Sequence, residues 1–81
     1  MTTIENEILM ELQRAEKKFP EWPKDHIHQA AIVAEESGEL VKAALQNHYE
    51  GGDIFSMKRE AIHTAAMALR FLKNLAEKET P

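Results

Sequence analysis

Two long stretches without a proline dominate this chain: from Asp25 to Tyr49 the only helix-weakening residue is Gly38, and from Ile54 to Lys78 there is neither glycine nor proline. Each is long enough for about seven helical turns. The string Gly51-Gly52-Asp53 between them supplies a helix stop and a turn. Such a chain predicts a helical hairpin, and no strand-length alternation of apolar and polar residues competes with it. Ahead of the hairpin, Ile4, Ile8, Leu9, Leu12, Ala15 and Phe19 recur at spacings of three and four. That pattern predicts an amphipathic helix over 3–19, with Thr3 as its N-cap. The connector Phe19-Pro20-Glu21-Trp22-Pro23-Lys24-Asp25 then ends it, because each proline holds the residue before it extended.

The fold class is therefore all-α: a three-helix chain, two long helices plus an N-terminal helix, in a single domain over 1–81. Ile27, Ala31, Ala34, Gly38, Val41, Leu45 and His48 form a heptad seam of mostly small residues on a helix of roughly 36 Å. The third segment carries two alanine-rich rows, Ala61, Ala65, Ala68, Leu72, Leu75 and Ile62, Ala66, Leu69. Three short-range neighbours cannot cover that much apolar surface, and a chain of this size buries only about 60% of what it exposes unfolded. The expectation is a four-helix-type bundle of paired chains, a homodimer or homotetramer.

Composition narrows the ligands. With 14 acidic against 10 basic residues the net charge is −4, which argues against a nucleic-acid backbone as partner and favours a cation or a cation-bridged phosphate. No cysteine is present, so disulfides and thiolate metal sites are excluded. No apolar run approaches the roughly 18 residues of a membrane span, and Met1-Thr2-Thr3-Ile4-Glu5 does not look like a secretory signal. These features lead to the expectation of a soluble, cytoplasmic protein with no membrane partner.

Glu35, Glu36 and Glu39 cluster in the second helix, where spacings of three and four put Glu39 beside both others. Like charges so placed call for an offset. A divalent cation supplies one, since Mg²⁺ takes hard oxygen ligands and keeps waters and phosphates in its shell. A solvated acidic face relieved by Lys42 is the plain alternative. On the third helix Glu60, His63, Met67, Arg70 and Asn74 form the one polar stripe, and Glu60 with His63 can face the acidic cluster across an antiparallel pair. His63 is then either a ligand or a hydrogen-bonded structural histidine.

The string Glu35-Glu36-Ser37-Gly38-Glu39-Leu40, followed by Glu60-Ala61-Ile62-His63, resembles the paired ExxE and ExxD motifs of MazG-like all-α nucleoside triphosphate pyrophosphohydrolases. Phe19-Pro20-Glu21-Trp22-Pro23 is also similar to segments of small MazG-like proteins, so the resemblance covers about residues 19–72. It implies a helical oligomer in which acidic side chains hold Mg²⁺ on an NTP or dNTP, and water cleaves between the α and β phosphates to give monophosphate and pyrophosphate. It also implies Glu36, Glu39 and Glu60 as metal ligands, with Glu35 as a further ligand or the base that orients water. His63 stands where the family pattern has Asp. An imidazole there is a poorer ligand for Mg²⁺ and suits Mn²⁺ or Zn²⁺ better.

Phosphoanhydride hydrolysis requires neutralised phosphate charge and a positioned water, which carboxylates and metal ions together supply. The chain has no glycine-rich phosphate loop and no nucleophile elbow to offer another route. His28 and Trp22 lie where the resemblance puts the nucleobase, although Trp22 can equally staple the connector to the helices. Arg70 is suited to a phosphate or to a glutamate. A non-catalytic helical module that binds a nucleotide or protein, and a purely structural bundle, are the rival functions.

Overall fold

The computed structural model describes residues 3–79, with side chains through Glu77. It contains α1 (Thr3–Lys18), α2 (His26–Glu50) and α3 (Ile54–Glu79), and no strand among the described residues. The ends of these helices follow local chemistry. Phe19 N–H closes the last turn of α1 on the Ala15 carbonyl at 2.8 Å before Pro20 interrupts. Asp25, in extended geometry, caps α2 by accepting the Ile27 N–H at 3.1 Å. Gly51 ends α2 in the left-handed region at φ 70°, a conformation that glycine adopts without a Cβ penalty. Asn47 Nδ2 then donates to the Gly52 carbonyl at 2.6 Å, and Asp53 accepts the Ser56 N–H at 2.7 Å to start α3.

α3 is the central element. α1 and α2 each pack on it and make no close backbone approach to one another. The core is Leu12 and Ala15 of α1 against Ala66 and Met67 of α3, with Ile8, Trp22, Ile32, Val33 and Leu69 packed around them. Ala66 is fully buried, packed with Leu12, Ala15 and Met67. The stripe Glu60, His63, Met67, Arg70 and Asn74 is turned inward, each residue buried or half-buried.

The face of α2 that packs on α3 is not the heptad seam. Gln29 and Ala43 are buried there, with Ile32, Val33, Glu36, Leu40 and Asn47 half-buried. The seam residues Ile27, Ala31, Ala34, Gly38, Val41 and Leu45 are all exposed on the opposite side. The chain is correspondingly extended, measuring 50 × 30 × 20 Å with a radius of gyration of 14.0 Å. A compact chain of this length has about 11.7 Å. No helix among the described residues is long and apolar enough to cross a membrane.

Candidate metal centre

Glu36 reaches inward from the middle of α2, and Glu60 with His63 reach out from consecutive turns of α3 to meet it. One ligand atom from each lies within 4.8 Å of the others, so the three can share one ion. His63 Nδ1 stands 3.3 Å from Glu60 Oε1 and 3.8 Å from Glu36 Oε2. Its other nitrogen, Nε2, faces Glu11 Oε2 of α1 at 3.6 Å. The imidazole is thus ringed by carboxylates from all three helices. The side chains of Glu11 and Glu60 are only 14% and 19% exposed, so their charges are incompletely screened by water.

Two carboxyls respond in opposite directions. Arg14 forms a forked pair with Glu11, at 2.8 and 2.6 Å, and this hydrogen bonding holds the Glu11 pKa below the usual carboxylate value, aided by the His63 charge. Burial pushes Glu36 up, an effect opposed by His63 and reinforced by the nearby Glu60, Glu39 and Glu11 charges. A carboxylate that burial penalises for being ionised is relieved by a bound cation. Two carboxylates and one imidazole suit Mn²⁺ or Zn²⁺ better than Mg²⁺. Glu11 stands where a carboxylate would fix the orientation of a metal-bound imidazole through its far nitrogen.

Glu39 is exposed one turn beyond Glu36, close enough to raise the Glu36 pKa but outside the converging group. Glu35 is also exposed and outside it. Glu11 was not apparent in the sequence, since Glu-x-x-Arg on one helix reads as an ordinary surface pair; its half-buried neighbours on α3 give it a different setting.

Two hollows adjoin the triad. A cavity of 190 Å³ lies between Glu11, Glu36, His63, Phe19 and Met67. A wider cleft of 570 Å³ between α1 and α3 shares Glu11 and His63 and is lined by Arg14, Lys58 and Arg59. Each of these cations already faces a carboxylate of its own chain: Arg14 with Glu11, Lys58 with Glu7 at 3.3 Å, and Arg59 with Glu60 at 4.0 Å.

Trp22 and His28 share a separate hollow of 470 Å³ with Glu21, Pro23, Lys24 and Asp25. Trp22 also packs against the core. Arg70 is 5% exposed; it donates to the Phe19 carbonyl at 2.7 Å and lies 4.7 Å from the centre of the Trp22 ring. It therefore fastens the connector, and no glutamate is among these contacts. Gln29, 1% exposed, donates to the Pro23 carbonyl at 2.5 Å, while its Oε1 and the Trp22 Nε1 are buried without a hydrogen-bond partner. Compared with family models, curated proteins and solved structures, the chain matches none.

Proposed function

We propose that this chain is a divalent-metal-dependent nucleoside triphosphate pyrophosphohydrolase of MazG-like type, acting on an NTP or dNTP and working as a homodimer or homotetramer. The observation that carries the reading is the convergence of Glu36, Glu60 and His63 from two helices beside a cleft that holds Arg14, Lys58 and Arg59. In this reading Glu36, Glu60 and His63 hold the ion, with Mn²⁺ favoured over Mg²⁺ by the imidazole. The ion supplies charge neutralisation on the phosphates and acidifies a water. Glu11 orients His63, Glu39 stands ready to hold a water at the rim, and the cleft cations receive phosphate oxygens by exchanging their present carboxylate partners.

The test is incubation of the full chain with a panel of ribo- and deoxyribonucleoside triphosphates, with Mg²⁺ and separately with Mn²⁺, products being identified by mass. Monophosphate plus pyrophosphate is expected, lost in Glu36→Gln and in Glu60→Gln. No turnover with either metal overturns the enzyme reading.

One observation favours a second reading, a metal-binding helical module without catalysis: the cleft cations face carboxylates of their own chain, which leaves little free positive charge for a triphosphate. Metal binding without pyrophosphate release identifies that module.

A further inference from the structure

The outer face of α2 has no neighbour within the chain. Ile27, Val41 and Leu45 are 80%, 58% and 52% exposed, and Ala31, Ala34 and Gly38 between them are exposed too. These six residues alternate at four and three, the spacing of a coiled-coil seam. They lie diametrically opposite Gln29, Glu36 and Ala43, which turn toward α3, so α2 is amphipathic on neither side and sandwiched on only one.

Gly38 lies inside a long helix, where glycine is destabilising relative to alanine. Nothing stands within 4 Å of the place a Cβ would occupy there, so no neighbour in its own chain requires a glycine. Close approach of a second helix does. The exposed surface agrees: 6053 Å² against about 4,900 Å² for a compact monomer of this mass. The excess, about 1,100 Å², exceeds the ~800 Å² that each partner contributes to a stable interface.

We propose that α2 of a second copy of this chain covers this face, antiparallel, with the two-fold axis crossing between Glu39 and Leu40. In that register Gly38 of one copy meets Val41 of the other, Ala34 meets Leu45, and Ala31 meets His48, a small residue against a large one at each of these layers, while Ile27 falls opposite Gly52, just past the end of the other α2. Glu35 and Lys42 flank the seam on one side, and the same register sets Glu35 of each copy beside Lys42 of the other. Sliding by one heptad brings Glu35 against Glu35 and sets Ala34 on Gly38, which leaves the centre hollow. A parallel pairing stacks Gly38 on Gly38 and wastes Lys42 on Ser37. Size and charge therefore select one arrangement, an isologous interface that stands whether or not the triad holds a metal.

The experiment uses the full chain and the absence of native cysteine. Sedimentation equilibrium at tens of micromolar should give an even multiple of the 9.2 kDa chain mass, and Leu45→Glu should lower it. Glu35→Lys and Lys42→Glu should each weaken association several-fold, and the two changes combined should restore it. On mixing and oxidation, Ala34→Cys chains should couple to Leu45→Cys chains several-fold more than either couples to itself. A wild-type monomer, which leaves the face to some other protein, overturns the proposal. So does preferential coupling of Ala34→Cys to itself, or a charge swap that restores nothing. The inference rests on the self-association included in the proposed function and not on its chemistry: failure of triphosphate hydrolysis changes none of these readouts, whereas a monomer removes the pairing and leaves hydrolysis to be judged by its own assay.

Discussion

The Arg70 guanidinium lies 4.7 Å from the centre of the Trp22 ring while donating 2.7 Å to the Phe19 carbonyl, so one side chain of α3 grips the connector at its start and at its middle. Two prolines stiffen that connector but cannot themselves attach it to the bundle. Arg70→Ala leaves the Phe19 carbonyl short of a donor and removes a cation–π contact, which should cost about 2–3 kcal/mol. Trp22 is the sole tryptophan, so its fluorescence during urea unfolding reads this loss directly. An unchanged midpoint contradicts the role assigned to Arg70.

Orientation of His63 by Glu11 is open to test by calorimetry. Glu11→Gln keeps the shape but removes the charge facing Nε2, and should weaken Mn²⁺ binding by about 10–100-fold. Equal affinities in wild type and variant place Glu11 outside the metal site.

Replacing the imidazole should change the preferred ion. His63→Asp turns the triad into three hard carboxylates, so Mg²⁺ affinity should rise relative to Mn²⁺. A Mg²⁺-to-Mn²⁺ ratio that stays where it was contradicts the ligand role of His63.

Acid should act with opposite signs on two carboxyls of the hairpin, Asp53 in its turn and Glu36 in the middle of α2. The Ser56 N–H bond to Asp53 lowers that carboxyl below its ordinary 3.8, so the ionised cap stabilises α3 above that pH and the benefit is lost as pH falls through the folded value. Burial raises Glu36 above 4.5, so its protonated form stabilises the fold at low pH and that benefit is lost as pH rises through the folded value. With a chelator present, Asp53→Asn should lower the melting temperature at pH 7 and lose its effect progressively as pH falls below 3.8 and through the folded value. Glu36→Gln should raise it at pH 7 and change little near pH 4. Parallel behaviour of the two variants contradicts this assignment.

Ala66 is fully buried in the core beside Leu12, Ala15 and Met67. Ala66→Leu forces α1 and α2 off α3 and should cost about 1–3 kcal/mol by chemical denaturation. A neutral substitution there means that the helices pack more loosely on α3 than its full burial indicates.

Much of this architecture is legible in the amino-acid pattern because glycine and proline act locally. The end of α1, both ends of α2 and the start of α3 fall within a residue or two of Pro20, Asp25, Gly51 and Asp53. The approach of Glu36 to Glu60 and His63 follows from helical spacing across an antiparallel hairpin. The packed face of α2 is a different matter. Its inward row includes Gln29 and Glu36, whereas the more apolar row, Ile27 to Leu45, looks outward, so hydrophobic periodicity points to the wrong side for contact with α3. Glu11 was hidden for a related reason: its setting depends on which turn of α1 lies over His63, and spacing along one helix carries no such information.

Because α3 alone joins the other two helices, the molecule has a built-in order of release. α2 and α3 are a hairpin closed by a three-residue turn, whereas the ion pairs from α1 to α3, Glu7–Lys58 and Glu16–Lys73, span 51 and 57 residues of chain. α1 also meets α3 less extensively than α2 does. Backbone amides of α1 should therefore exchange with solvent deuterium through a lower-energy opening than those of the hairpin. Glu36, Glu60 and His63 all ride on the hairpin, so a partly opened molecule keeps its ion-holding residues together and loses only Glu11, which leaves the imidazole free to turn.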